Sequence, residues 1–209
     1  MPITLGDLLM DNLQGRTCWR AFISGNDEAF EDIYRLYIDR LFSFGLKYNT
    51  DRDLVKDCLQ DVFANIYYYR ANLNPDANPL SYLFTALRNG IFAKIKKENK
   101  ERDLPYEIDH LFMLEWSPET TWIKKEEDKL LIAKLQQLIK KLPTRQQEII
   151  YLKFNEELGY EEIAEMLNIS IPTCRTLVYR AIKQLRENIE HVPLAQVFCL
   201  LFNKSIPDC

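Results

Sequence analysis

Apolar side chains recur at three- and four-residue spacing over most of the chain, and this periodicity limits the fold more than any other feature. The clearest stretches span residues 29–44, 54–69, 80–95 and 130–142. Such spacing gathers apolar residues on one face of a helix, and no apolar-polar alternation is long enough to indicate a sheet. With only 6 glycines and 9 prolines in 209 residues, the sequence predicts an all-α fold.

Interruptions of the periodicity predict two small helical domains joined by a linker. Residues 70–79 contain three Asn, one Asp and two Pro, a composition that favours an exposed loop between helices. Residues 103–128 are acidic and are broken by Pro105 and Pro118. The predicted segments are an N-terminal extension (1–25), a first helical domain (26–102), an acidic linker (103–128), a second helical domain (129–190) and an apolar C-terminal tail (191–209).

The formal net charge of −4 hides local basic clusters, because much of the negative charge lies in the predicted linker. Clusters of this kind can contact phosphate even in an acidic protein. They comprise Lys94, Lys96, Lys97, Lys100 and Arg102, and further along the chain Arg175, Arg180, Lys183 and Arg186.

The residues that usually mark metal, redox or membrane function form no pattern here. The 5 cysteines include no C-x-x-C pair and the 2 histidines are far apart, so we expect reduced thiols in the cytoplasm, no metal site and no cofactor. The longest wholly apolar run has six residues, which predicts neither a membrane span nor a secretory signal. Catalytic motifs such as G-x-S-x-G, a P-loop or H-E-x-x-H are absent, so we do not expect an enzyme.

Residues 160–186, which read Y-E-E-I-A-E-M-L-N-I-S-I-P-T-C-R-T-L-V-Y-R-A-I-K-Q-L-R, predict a helix-turn-helix. The turn is expected at Asn168 and Ile169. Ser170 is then the N-cap of the second helix, and Pro172 lies in its first turn, where a missing N–H costs little.

The second helix of this motif has an apolar face and a polar face. The apolar face is expected in the core and consists of Cys174, Leu177, Val178, Ala181, Ile182 and Leu185. The polar face offers hydrogen-bond donors and an aromatic surface without a carboxylate, which predicts contact with phosphates and base edges in a major groove. Its residues are Thr173, Arg175, Thr176, Tyr179, Arg180 and Lys183.

Three motifs resemble conserved regions of bacterial RNA polymerase sigma factors. L-P-T-R-Q-Q-E-I-I-Y-L-K-F (residues 142–154), followed by the helix-turn-helix, resembles the fourth region. D-L-V-K-D-C-L-Q-D-V-F (residues 53–63) resembles the polymerase-binding helix of the second region, and P-L-S-Y-L-F-T-A-L-R-N (residues 79–89) resembles the segment after the promoter-melting loop. Because no third region is recognisable in so short a chain, the sequence is similar to the extracytoplasmic-function class.

The resemblance implies a factor that binds core RNA polymerase and directs promoter recognition and strand opening. Contacts with the β′ clamp are then expected from Asp57, Gln60 and Asp61, and the second domain is expected at the β flap. The polar face of the helix-turn-helix corresponds to residues that read the minus-thirty-five element of promoter DNA. The residues expected at the minus-ten element and the melted strand are Arg70, Asn72, Asn74, Asp76, Asn78, Lys94, Lys96 and Lys97.

Departures from the family pattern include Gln147, where Arg is common, and Ile171-Pro172, which replaces an acidic residue and glycine and changes the entry of the second helix. Three consecutive tyrosines, Tyr67, Tyr68 and Tyr69, point in different directions on a helix, so at least one is expected in the core.

Two alternatives stay open at this level. The chain could be a helix-turn-helix regulator that binds an operator without joining polymerase, in which case the first domain would serve self-association. The apolar tail could pack on its own domain, or it could hold an inactive arrangement or contact an anti-sigma factor, a partner common in this class. Neither composition nor periodicity separates these alternatives.

Overall fold

The computed structural model describes residues 5–101, 112–114 and 126–188, and within these ranges the chain is helical without a β-strand. The all-α prediction is therefore confirmed. Contacts divide the chain into two compact units, an N-terminal unit of Leu9–Leu111 and a C-terminal unit of Phe112–Cys209 with Met1–Leu8. The acidic linker falls mostly outside the described residues, and the apolar tail falls wholly outside them.

Four helices, the first of them from Leu9 onward, and one short 3₁₀ turn form the N-terminal unit. They are α1 (Leu5–Ile23), α2 (Asp27–Gly45), α3 (Arg52–Tyr68), the 3₁₀ turn Arg70–Asn72 and α4 (Pro79–Glu101). Side chains of Asn26 and Asp51 cap α2 and α3 by accepting hydrogen bonds from backbone N–H groups of the first turn. The helices α2 and α3 thus begin directly after these two capping residues.

The core of the N-terminal unit is formed by one stripe of each helix. The stripe of α2 runs through Ile33, Tyr37, Leu41 and Phe44, all buried. At the end of α2, a Cβ on Gly45 would lie 2.6 Å from Cγ1 of Val55, so only glycine lets α2 approach α3 this closely. Each fully buried large apolar side chain contributes roughly 1.5–3 kcal/mol to folding.

The described residues of the predicted N-terminal extension form one helix, α1, up to Ile23. Trp19 and Phe22 of α1 have no exposed surface, and their rings pack on Tyr82 of α4 and Phe30 of α2 at 5.4 and 5.3 Å between centroids. The end of α1 is therefore part of the core of the N-terminal unit.

The described part of the C-terminal unit contains four helices and a π-helical turn. They are α5 (Glu126–Lys140), α6 (Thr144–Ile150), the π-helical turn Tyr151–Asn155, α7 (Tyr160–Leu167) and α8 (Ile171–Arg186). Phe112 and Leu114, which fall in the predicted linker, are buried, and the ring of Phe112 lies 5.7 Å from that of Tyr151. These two residues therefore belong to the packed part of the chain.

Polar side chains fix the connections of the C-terminal unit. Nε2 of Gln147 donates to the backbone oxygen of Leu142 at 2.9 Å and so satisfies a carbonyl just beyond α5. Arg145 pairs with the buried Glu148 at 2.9 Å and donates to the backbone oxygen of Leu167 at the end of α7, also at 2.9 Å. Arg145 thus ties α6 to the helix-turn-helix.

The turn between α7 and α8 has the expected form. Asn168 adopts φ 51°, a left-handed conformation that Asn tolerates better than most residues. The N–H groups of Asn168 and Ile169 donate to the oxygens of Glu165 and Ala164, which is the Schellman pattern. Ser170 caps α8 through Thr173 N–H at 3.2 Å, and Pro172 lies in the first turn. The predicted turn and cap are confirmed.

Candidate nucleic-acid and polymerase interfaces

The polar face of α8 is exposed along its whole length, because the opposite face is buried. Cys174, Val178, Ala181 and Leu185 are buried within the C-terminal unit, whereas Leu177 and Ile182, which were also expected in the core, are half-buried at its edge. The six residues that we call the reading face are all exposed: Thr173, Arg175, Thr176, Tyr179, Arg180 and Lys183. The structure thus brings together all six predicted residues, in a geometry suited to a major groove.

One residue of the reading face is restrained by α7. A guanidinium nitrogen of Arg175 lies 3.9 Å from a carboxylate oxygen of Glu161, and the guanidinium lies 5.5 Å from the ring centre of Tyr160. The face of α8 itself carries no carboxylate, but the fold places one beside it. This contact joins residues on either side of the turn, so the periodicity of α8 alone does not predict it.

The loop of residues 70–78, which we call the polar loop, is held at its first residue by α2. Arg70 pairs with Asp27 at 2.8 Å, and its guanidinium lies 5.7 Å from the ring centre of Tyr67. Leu73 is buried beneath the loop. The loop was expected to be exposed, and most of it is, yet one end is fixed by an ion pair and its middle by an apolar anchor.

The second half of the polar loop is bound to α1. The indole N–H of Trp19 donates to the backbone oxygen of Asn74 at 2.9 Å, and Arg20 pairs with Asp76 at 2.8 Å. A side-chain oxygen of Asn74 accepts from the N–H of Asp76, and that of Asn78 accepts from the N–H of Leu80 at the start of α4. Sequence reasoning missed Trp19, Arg20 and Asp27, because nothing in the local pattern marks partners 43 to 56 residues away.

Asn72 lies in the 3₁₀ turn of the polar loop and is exposed. Its side chain takes part in none of the contacts that fix the loop. Asn74 is also exposed, but its side-chain oxygen is already bonded within the loop, whereas the whole amide of Asn72 is presented to solvent. An amide can donate to and accept from the Watson–Crick edge of an unpaired base.

The three predicted strand-binding lysines of α4 differ in their surroundings. Lys96 and Lys97 are exposed. Lys94 is partly buried and its ammonium lies 3.0 Å from a carboxylate oxygen of Asp61 on α3. Burial lowers the pKa of Lys94, but the hydrogen bond with Asp61 and the other acidic groups nearby raise it overall, so Lys94 is a cation at neutral pH. Lys94 thus joins two predicted surfaces, the strand-binding and the polymerase-binding one.

The predicted polymerase contacts Asp57, Gln60 and Asp61 are exposed on α3. Gln60 also lines a groove of about 310 Å³ beside α2, which has aromatic walls and a charged rim. The groove residues used below are Tyr34, Phe42, Arg52, Lys56 and Phe63. Arg52 stacks on Phe42 with its guanidinium 4.7 Å from the ring centre. Of the three predicted residues, Gln60 therefore borders a surface that can receive apolar side chains of a partner, whereas Asp61 pairs with Lys94 of α4.

The tyrosine prediction is wrong. Tyr67, Tyr68 and Tyr69 are 41%, 80% and 61% exposed, so none lies in the core. The physical reason is that α3 ends at Tyr68, where helical directions no longer apply to Tyr69, while Tyr67 packs its ring only partly against Phe30 at 5.2 Å.

Within the described parts of the chain, no group of three or more His, Cys, Asp or Glu side chains is arranged to hold a metal ion. The same residues include no helix long and apolar enough to cross a bilayer.

Comparison with known proteins gives the same family from two parts of the chain. Residues 33–101 match sigma-70 region 2, and residues 132–185 match sigma-70 region 4. Together these matches cover more than half of the 209 residues.

Similar proteins include two sigma factors of Bacillus subtilis (strain 168). The RNA polymerase sigma factor YlaC is 26% identical over 165 residues, covering 78% of this chain and 92% of the relative. The ECF RNA polymerase sigma factor SigW is 26% identical over 174 residues, covering 79% and 91%. Among solved structures, the sigma factor RpoE in complex with the anti-sigma factor NepR from Bartonella quintana matches with a TM-score of 0.56 at 20% identity, covering 78% of this chain and 98% of RpoE.

Proposed function

The chain belongs to the extracytoplasmic-function class of sigma-70 RNA polymerase sigma factors, and we propose that its two units divide promoter recognition between them. The C-terminal unit reads the minus-thirty-five element as duplex. The N-terminal unit binds polymerase and captures the melted minus-ten strand. The operator-binding alternative assigns the first domain to self-association and gives no reason for its match to sigma-70 region 2.

The observation that carries the proposal is the composition of the reading face. Six exposed side chains, with two Arg, one Lys and no acid of their own helix, lie opposite an apolar stripe that is mostly buried. One bidentate Arg contact with guanine contributes about 1–3 kcal/mol of base discrimination. Two such contacts give modest specificity, which is why a second recognition element in the N-terminal unit is needed.

The N-terminal unit supports strand capture through chemistry suited to unpaired bases. Asn72 presents an amide to solvent from a loop that is fixed on both sides. Lys96 and Lys97 offer exposed cations that can follow the phosphates of the opened strand. Capture of an extruded base by hydrogen bonds to its Watson–Crick edge follows the logic of base flipping.

Polymerase binding is assigned to the exposed face of α3. Asp57, Gln60 and Asp61 provide polar contacts for the β′ clamp, and the groove beside Gln60 accepts an apolar anchor against the packed rings of Tyr34 and Phe63. The C-terminal unit is assigned to the β flap.

The proposal places the chain in the cytoplasm with polymerase and gives it no catalytic group, since polymerase supplies the chemistry. An anti-sigma factor is the third proposed partner. It is supported by the likeness in fold to RpoE, whose solved structure contains the anti-sigma factor NepR.

The test is capture of bacterial core polymerase by the purified protein, followed by run-off transcription on genomic fragments. Asp57→Ala/Gln60→Ala is expected to weaken capture by at least about tenfold, since two interfacial polar contacts are lost. Asn89→Ala/Glu98→Ala removes one amide and one carboxylate from exposed sites on α4 and is the matched control for capture. Absence of capture by the folded wild-type protein at low salt would reject the proposal.

A further inference from the structure

The polar loop has little regular structure of its own, yet α1 holds its second half in one position. We infer that α1, through Trp19 and Arg20, is the positioning element that presents the polar loop to the captured strand. This inference rests on the proposed strand-capture function. It gives a recognition role to a helix in which the sequence shows no chemistry.

Trp19 fixes the backbone of the loop. Its side chain has no exposed surface, and its N–H donates to the oxygen of Asn74 at 2.9 Å. A buried donor without a partner is costly, so this bond holds the middle of the loop against the core. The ring of Trp19 also packs on Tyr82 at 5.4 Å, which connects the loop with α4.

Arg20 fixes one side chain of the loop, that of Asp76. Nη2 of Arg20 lies 2.8 Å from a carboxylate oxygen of Asp76, and Nε lies 3.4 Å from the backbone oxygen of Pro75. Both partners of the ion pair are exposed, so the pair adds little to folding stability. Its main effect is local, because it orients the carboxylate and compensates a negative charge that would otherwise repel the phosphates of a strand.

These attachments decide which loop atoms remain for a base. The oxygen of the Asn74 side chain is occupied by Asp76 N–H, and the first residue of the loop, Arg70, is held by Asp27. Asn72 lies between the two fixed points and is exposed. Removing the contacts of α1 with the loop is therefore expected to let Asn72 occupy a wider range of positions. It removes no group that is proposed to contact the base.

The test uses holoenzyme assembled from core polymerase and the full chain. The probe is a single-stranded oligonucleotide with the non-template minus-ten sequence of a promoter found by run-off transcription, together with versions substituted at each base. The measured quantity is the ratio of affinities for the matched and the substituted strands. Arg20→Met is the main variant, and Arg35→Met, which breaks an equally exposed pair with Glu31 on α2, is the matched control.

Arg20→Met is expected to reduce the affinity ratio about two- to fivefold, the range for one exposed ion pair, with core capture and melting temperature unchanged. Trp19→Phe keeps a buried ring but removes the N–H, and about a two- to tenfold reduction is expected. If Arg20 acts through Asp76, the double variant Arg20→Met/Asp76→Asn is no worse than the more impaired single variant.

Equal ratios for Arg20→Met and Arg35→Met would overturn the inference, and so would additive effects of Arg20→Met and Asp76→Asn. A uniform loss of affinity for matched and substituted strands would indicate a structural role only and would also overturn it. Failure of the wild-type chain to capture polymerase is a different result, since it removes the proposed function itself along with the inference.

Discussion

The two units present their candidate DNA contacts in different ways. The C-terminal unit uses one face of α8, where helix geometry alone spaces Thr176, Arg180 and Lys183. The N-terminal unit uses a loop, whose shape depends on Asp27, Trp19 and Arg20 from elsewhere in the chain. Duplex DNA has a regular groove that a rigid helix fits, whereas an extruded base needs a pocket-like, irregular surface.

The two sites therefore differ in which substitutions are expected to impair them. A substitution on the reading face removes one contact and leaves the helix in place, because the buried stripe of α8 holds it. A substitution in α1 touches no DNA, yet it is expected to act on every contact of the polar loop. The following predictions either break or sharpen this contrast, from the largest expected effect to the smallest.

Arg145→Met is expected to destabilise the C-terminal unit alone by about 3 kcal/mol, because it removes both the ion pair with the buried carboxylate of Glu148 and the hydrogen bond to the backbone oxygen of Leu167. Burial raises the pKa of both Cys58 and Cys174, so each thiol reacts slowly in the folded state. In chains whose only cysteine is Cys58 or Cys174, the rate of maleimide labelling during a denaturant titration reports the unfolding of the N-terminal or the C-terminal unit separately.

Cys174 should lose protection at lower denaturant in Arg145→Met, while Cys58 keeps the protection of the parent chain. Arg35→Met, which breaks an exposed pair on α2, should change neither labelling curve. Equal loss at both thiols would show that the two units unfold as one and would remove the basis of the comparison.

Arg180→Ala is expected to weaken binding of the minus-thirty-five duplex by about 2 kcal/mol, or about 30-fold, since one bidentate base contact is lost. Fluorescence anisotropy with labelled duplex measures this affinity. Lys134→Ala, an exposed cation on α5, is the control. Capture of the single minus-ten strand should not change, and a parallel loss there would contradict the division of roles.

Asn72→Ala is expected to lower base discrimination on the minus-ten strand by about fivefold, the effect of one net hydrogen bond. The measurement is the affinity ratio of matched and substituted strands with holoenzyme. Asn89→Ala, an exposed amide on α4, serves as control. If discrimination survives in Asn72→Ala but falls in Arg20→Met, a different loop group reads the base.

Glu161→Gln is expected to raise affinity for the minus-thirty-five duplex about twofold, because it releases Arg175 from an exposed carboxylate 3.9 Å away. Affinity measured over a range of salt concentrations should also show a slightly steeper dependence. Glu165→Gln changes an exposed carboxylate of the same helix and is the control. Identical behaviour of the two variants would mean that the pair with Arg175 does not restrain the reading face.

The helix-turn-helix was predictable in detail, for reasons of local chemistry. Ser170 caps the helix that follows it, Asn168 accepts a left-handed turn, and the stripe from Cys174 to Leu185 has the helical period. Each of these signals acts within one or two turns of chain. The tyrosine prediction failed because it applied helical side-chain directions past the end of α3 at Tyr68, where that local rule no longer holds.

By itself the sequence determined the all-α class, the helix-turn-helix with its Ser170 cap, the family and the direction of every side chain on the reading face, since these depend on spacing and on neighbours close in the chain. Only the tertiary structure decided that α1 holds the polar loop, that Glu161 restrains Arg175 and that Lys94 pairs with Asp61. Such contacts join residues that periodicity treats as independent. They exist because burying the apolar stripes forces particular polar groups into hydrogen-bonding distance.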